Sequence, residues 1–523
     1  MSLRSILKNL LSISLLTSII PVWITGSFVS NRSQISSFDS LSSIQEIAEA
    51  PWYLDPWVNR WIEAEFSQRG GMDSPGPVVA ENSDFWSTLP LRLAMIWRLP
   101  AEDPRLDTHL SAIISTLDQI PPRTRDEIAN VLTSRREKLL PIAGRQLEQI
   151  VQIENLERRA ILCANYALLF LCLQQPTVAN DALLKFTEDH SARVLFVRLL
   201  AGWLSSSSFQ KSLSPQILRS CPEVLNGILA ALFDQQTPAP VFADLVKSVY
   251  PHPLAKVASP TWHLARKWQI TLPTQKQGVT ERGEDWIIEN DLFLIRLTIP
   301  PDHLSKTDQP ARRIFVSATE VAVRHMKQDP ELTPVPNSGL NLPAVMLSHE
   351  DMFRFCNLLS QNSRRTEVFA RIGEVPAWVV LPDSSGYRLP TSSEYAVLAG
   401  RGMAFRRDPV RNIPGDYLSA DVRRDEIPRY GNTKGGDILA PGEGQPKDVA
   451  SLRPDSLGFF DVTGNVKELI LLEGINGNRH PKLVYYDGDF GSSALLSIDP
   501  TGTYDAPPEP KDNIGFRVVR KAD

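Results

Sequence analysis

Leu457-Gly-Phe-Phe-Asp-Val-Thr-Gly-Asn-Val-Lys-Glu468 is the stretch on which the reading of this 523-residue chain turns. Gly464-Asn465 marks a turn, and Asn465 and Glu468 are placed to hold it by side-chain hydrogen bonds. Upstream lie Phe355-Cys-Asn-Leu-Leu-Ser360 and Gly386-Tyr-Arg-Leu-Pro-Thr-Ser-Ser-Glu-Tyr395, and downstream Ile514-Gly-Phe-Arg-Val518. The segments between them read as short strands and long loops. Asp291 to Ile299 has the pattern of a strand, and Arg313 to Val323 that of a strand turning into a helix. Ala344-Val-Met-Leu-Ser348 leads into a helix from Glu350 to Leu359, with Ser348 as its N-cap and acidic residues in its first turn.

In this order the four stretches resemble the formylglycine-generating enzyme family, also called the sulfatase-modifying-factor domain, whose fold is related to that of C-type lectins. The resemblance implies such a domain over 285–523, entered by a linker over 272–284. Two departures stand out. Lys467 occupies the position of a family tryptophan, and Tyr486-Asp-Gly-Asp-Phe490 stands where the family has Arg-Gly-Gly-Ser-Phe, so a core ion-pair partner is missing.

Before this domain the texture is helical. Leu110, Ile113, Ile114 and Leu117 fall at helical spacing, Pro121-Pro122 interrupts the pattern, and Ile128, Val131 and Leu132 resume it. The apolar run Ile161 to Cys172 is too short to span a bilayer. Short helices joined by proline turns over 84–271 read as an irregular helical-repeat, α-solenoid-like region without a constant period. Such an array is equally a protein-binding concavity or a packed spacer. Asn165 to Leu204 and Tyr250 to Trp268 also resemble the extracytoplasmic part of planctomycete receptor-type Ser/Thr kinases, which follows their membrane span. Here the kinase domain would be absent, since eight residues precede the apolar run.

That run, Asn9 to Asn31, is free of charge and follows Arg4 and Lys8. Its length suffices for a membrane helix, and the preceding positive charges put the body outside the cytoplasm. Residues 1–32 therefore read as a signal anchor or a signal peptide. Thr25-Gly26-Ser27 leaves cleavage, and hence secretion, open. Serine, proline and clustered tryptophans make 33–83 a stalk. With 55 basic and 60 acidic residues, net −5, the chain has no basic footprint for nucleic acid. Cys163, Cys172, Cys221 and Cys356 are too few for a disulfide scaffold.

The resemblance implies oxidation of a substrate cysteine by two copper-binding cysteines near the C-terminus. No cysteine lies between Lys482 and Asp523, and Cys356 falls in a helix that normally holds an apolar, structural cysteine. The sulfoxide-synthase branch of the superfamily binds iron through histidines. The eight histidines here are scattered singly, none at i, i+4 spacing. No copper or iron site is therefore expected. The resemblance also implies a calcium site, with Asn465, Glu468 and the Gly464 and Val466 carbonyls as its ligands. The Lys467 ammonium beside it disfavours a cation. The residues alone read equally well as a hydrogen-bonded turn.

The expected function is a membrane-anchored, extracytoplasmic binding or sensory protein with a catalytically silent domain. Its protein or carbohydrate ligand would meet the 404–454 loop region, which carries Phe405, Tyr417, Tyr430, Arg423, Arg424 and Arg429. Two other readings are a metal-dependent oxidoreductase and a structural subunit of the cell envelope.

Overall fold

The computed structural model describes residues 89–522, apart from 186–190, 302–310, 328–331, 333–338, 373–376, 402–444, 473–480, 487–502, 507–508 and the single positions 90, 91, 94, 118, 121, 382 and 463. The expected anchor over 1–32 and stalk over 33–83 lie outside the described residues. Among the described residues no helix is long and apolar enough to cross a membrane.

Two compact units result, one of residues up to 119 with 127–142 and the other of 120–126 with 143–523. The first unit contains α1 (Arg105–Ile114), which buries Leu106, Leu110, Ile113 and Ile114 at helical spacing. Within it Arg135 stacks 4.1 Å from the Trp97 ring centroid, and Lys138 donates to the Ile96 carbonyl. Helices α2 (Pro122–Ser134) and α3 (Arg136–Ile150) run across the boundary between the units in sequence. Proline at the start of α2 uses a position where no N–H is needed.

The second unit opens with helices. The apolar run read from the sequence sits in α4 (Leu156–Cys172), which the Asn155 side chain caps at the Arg158 N–H. It packs against α5 (Pro176–Leu184) and α6 (Ser191–Trp203). The short α7 (Ser207–Ser212) and α8 (Pro215–Leu218) follow, then α9 (Pro222–Leu232), α10 (Pro240–Val249) and α11 (Ala255–Lys267). Helix α9 lies between α6 and α11.

The strands of the same unit form a six-stranded antiparallel sheet of order β1-β2-β3-β4-β12-β7. Its members are β1 (Gln277–Thr280), β2 (Gly283–Glu289), β3 (Leu292–Ile299), β4 (Arg312–Ser317), β7 (Tyr387–Arg388) and β12 (Val519–Lys521). A four-stranded sheet, β10-β9-β8-β11, joins β8 (Lys467–Leu471), β9 (Leu483–Tyr486), β10 (Thr503–Asp505) and β11 (Ile514–Phe516), with β11 parallel to β8. The hairpin of β5 (Phe369–Ile372) and β6 (Ala377–Val380) stands apart.

Strand β3 is nearly all apolar because both faces of the large sheet are covered. One face carries Leu294, Phe315, Phe355, Cys356, Leu359, Phe369, Tyr387 and Phe516, with α13 (His349–Asn362) against it. The other carries Trp286, Phe293, Ile295, Tyr395 and Phe459, together with Tyr250, Ala255 and Ala258 from the end of the helical region.

Here the structure differs from the expected boundaries. Residues 272–284 hold β1 and the start of β2 rather than a plain linker, and α11 shares a core with the sheet. Trp286 is the cause. Burying an aromatic of that size contributes about 1.5–3 kcal/mol, and its ring needs both Gly278 beneath it and Tyr250 beside it. The expected helix after Arg313 is also later and shorter, a single turn, α12 (Val323–Met326), after a non-helical stretch.

Candidate functional site

The motifs read from the sequence converge around Arg517, which is fully buried. Its Nε donates to both carboxylate oxygens of Glu468, at 3.1 and 2.9 Å, and Nη2 donates to Oε1 at 2.6 Å. Nη1 and Nη2 reach the Ser317 and Phe460 carbonyls at 3.0 Å. The register explains the meeting. Gly515 pairs with Glu468 across the parallel strands β11 and β8, which brings the following Arg517 to the base of the Gly464–Glu468 turn.

Asn465 Nδ2 donates to Glu320 Oε2 at 2.8 Å, its Oδ1 accepts from the Lys447 N–H, and the Val466 N–H donates to Glu320 Oε1 at 3.3 Å. Asp461 accepts from the Ala450 N–H at 2.8 Å. Three buried carboxyls thus face one guanidinium. Burial first, then the charges of Asp461 and Glu468, raise the Glu320 carboxyl well above the usual range. Burial pushes Asp461 up to about 6. Arg517 is held above its usual value, its burial outweighed by Glu468. Glu320 and Asp461 were not singled out in the sequence. Their contribution depends on long-range packing that spacing does not encode.

The residues expected to bind calcium do come together. Gly464 and Asn465 both adopt left-handed backbone, with φ of 89° and 64°. The two side-chain donors among them do not fit the ion, however. The Glu468 carboxylate is held by a guanidinium, and the Asn465 oxygen by a backbone N–H. A cation on Glu468 would sit against a fixed positive charge. Among the described residues no group of three or more His, Cys, Asp or Glu is placed to hold a metal ion. Lys467, first in β8, turns its ammonium to 5.2 Å from the Tyr485 ring centroid.

The other motifs also act inside the fold. Glu394 is buried between Arg388 and Arg312, bonded to the first at 2.7 Å and to the second at 2.5 Å. It also accepts the Thr391 N–H at 2.8 Å, so Thr-x-x-Glu caps α14 (Ser392–Arg401) as a capping box does. Burial raises its carboxyl, but the arginines outweigh that and hold it at about 2. Asn357 uses its side-chain amide like a strand residue, exchanging hydrogen bonds with the backbone of Phe369. Gly386 admits no side chain, because a Cβ there would lie 2.3 Å from Ser360 Oγ and the Thr366 carbonyl.

The model of the sulfatase-modifying factor enzyme 1-like domain matches residues 252–522. The chain belongs to this family. The match begins at 252, ahead of the expected 285, and so takes in α11. Among solved structures, the sulfatase-modifying factor-like chain here is similar to CarF, at 23% identity and a TM-score of 0.31, over 40% of this chain and 87% of that one. It is similar to Treponema denticola variable protein 1 at 15% identity and TM-score 0.33, over 48% of this chain and all of that one. A third likeness, to PvdO from Pseudomonas aeruginosa, has 17% identity and TM-score 0.30, over 48% of this chain and all of that one. No curated protein matches the chain.

Burial sets the state of sulfur in the fold. All four cysteines are buried. Burial pushes the Cys172 thiol up to about 12 and raises that of Cys356 further, so neither supplies a thiolate near neutral pH. His263 and His325 are buried and held neutral, both at about 3. His325 Nδ1 accepts the Ala322 N–H, leaving Nε2 to donate to the Asp291 carbonyl. The aromatic and arginine residues expected to meet a ligand, from Phe405 to Tyr430, lie outside the described residues.

Proposed function

We propose that the chain is an extracytoplasmic binding or sensory protein, held at the membrane by residues 1–32, whose sulfatase-modifying factor-like domain is catalytically silent. The observation that carries this reading is the state of its cysteines. None lies between Lys482 and Asp523, and all four are buried. A thiolate–metal centre needs accessible, closely placed soft ligands. Internal use of the motif residues supports the same reading. Glu468, Glu394 and Asn357 each bind a partner within the fold, so the motif preserves a scaffold. On such a scaffold recognition is carried by long loops, and the 404–454 region is the candidate surface for a protein or carbohydrate. The likeness of 165–204 and 250–268 to receptor-type kinases supports a sensory role for the helical region.

Elemental analysis of the full chain, purified in detergent, tests the proposal. Copper and iron are expected well below one per chain. Stoichiometric copper or iron that survives dialysis would overturn the silent reading in favour of a metal-dependent oxidoreductase.

A further inference from the structure

Residues 450–461 cross from the sheet core to the helices and are bonded at both sides. On the core side Ala450 donates to Asp461, Phe460 N–H donates to the Ala318 carbonyl, and the Phe460 carbonyl accepts from Arg517. On the helical side Arg453, almost fully buried, donates through Nε to Asp234 at 3.0 Å. Arg193 of α6 donates to the Pro454 and Asp455 carbonyls at 3.3 and 3.1 Å, and to Asn226 of α9 at 2.6 Å. Ser259 of α11 donates to the Gly458 carbonyl at 2.7 Å, and the Phe460 ring lies 5.1 Å from Phe233 and 4.6 Å from His263.

At the middle of this strap sits Asp455, 2% exposed. Its Oδ1 accepts two backbone N–H groups, from Leu457 at 2.8 Å and Phe459 at 2.9 Å. Its Oδ2 is buried and has no hydrogen-bond partner among the described residues. The facing cation, Arg193, directs its N–H groups at carbonyls and at Asn226 rather than at this oxygen. Of the other charged or titratable groups on the packed elements, Arg453 is paired with Asp234, Lys256 with Glu223 and Arg266 with Asp291. Lys267 donates to the Phe233 carbonyl, His263 is buried and neutral, and Asp461, also pushed up by burial, accepts the Ala450 N–H. A buried oxygen that carries charge and lacks a donor is costly, whereas the neutral carboxyl is tolerated much better.

We propose that residues 450–461 form a pH-sensitive clasp, which grips the helices when Asp455 is protonated and loosens when its carboxyl ionises and draws Arg193 from the backbone carbonyls. The titration supports the geometry. Burial pushes the Asp455 carboxyl up to about 6, against the opposing backbone hydrogen bonds and Arg193. An acid raised above its unfolded value stabilises the closed state most below about pH 4, and that advantage is lost as pH rises through about 6.

Hydrogen exchange of the full chain in detergent tests this, read on peptides spanning 191–203 and 450–461 and corrected for intrinsic rates. In the parent, opening of both should increase about tenfold from pH 5 to pH 7.5. Asp455→Asn keeps Oδ1 and removes the charge, so it should keep both peptides at the protected level throughout. Equal pH dependence in parent and variant would overturn the proposal, as would a parent whose opening does not change with pH. Should Asp455→Asn fail to fold, Asp461→Asn decides, because Asp461 in the same segment is also pushed up to about 6. A rise near pH 6 that persists in Asp461→Asn supports the clasp, and one that is absent from the parent or lost in Asp461→Asn refutes it.

Discussion

Removing the charge of Glu468 isolates what that residue does. Glu468→Gln leaves Arg517 buried beside an amide, and breaking a buried pair from one side typically costs about 3–5 kcal/mol. The variant should unfold at markedly lower denaturant, and by the same amount in calcium as in chelator. A calcium ligand would behave otherwise, its loss mattering only when the ion is present. Glu394 gives a second test, with a definite sign. Its folded value of about 2 lies below its ordinary range, so the stability it lends is present above about pH 4.5 and is lost as pH falls toward 2. The difference corresponds to about 3 kcal/mol as an order of magnitude. Acid unfolding of Glu394→Gln should lack this component when compared with the parent. At this scale the sequence was informative in part. The motif residues are visible as types and spacings, but whether Glu468 meets an ion or Arg517 is decided by the register of β11 on β8, which no spacing within the motif reports.

Strands and helices were more legible than their partners. The N-cap at Ser348 reads directly from Ser-His-Glu-Asp, and the side chain does accept the Asp351 N–H. The apolar stretch after Asp291 forms β3, while Asp291 itself takes a left-handed turn conformation with φ of 61°. The first strand was missed because Gln277 to Thr280 is short and half polar. What fixes it is pairing with β2 and the Trp286 ring over Gly278. Gly386 shows the same dependence of an element on close approach. Gly386→Ala forces a methyl group into Ser360 Oγ and the Thr366 carbonyl, and overpacking of this kind costs about 1–3 kcal/mol or more. A fall in melting temperature is expected, together with faster proteolysis of the strands around β7. A melting curve equal to that of the parent would show that the helix α13 and the Gly386 backbone are not in contact.

At the scale of the whole molecule the end of the helical region and one face of the large sheet share a core. A fragment beginning at 285 loses β1, α11 and the residues that face Trp286 and Arg453. It should be insoluble or lack cooperative unfolding, whereas one beginning at 143 should melt in a single transition. A soluble, cooperatively melting 285–523 would restore the later boundary. The proposed extracytoplasmic placement of the body rests on Arg4 and Lys8 ahead of the apolar run. Protease added to intact spheroplasts should therefore digest the chain from Ser33 onward, and protection until lysis would reverse the topology. The proposed silence of the domain is tested most directly by oxygen consumption. The purified full chain, supplied with copper and cysteine-containing peptides, should consume oxygen no faster than the same copper without protein. Copper-dependent uptake that turns over many times per chain and disappears in Cys356→Ser would contradict the account.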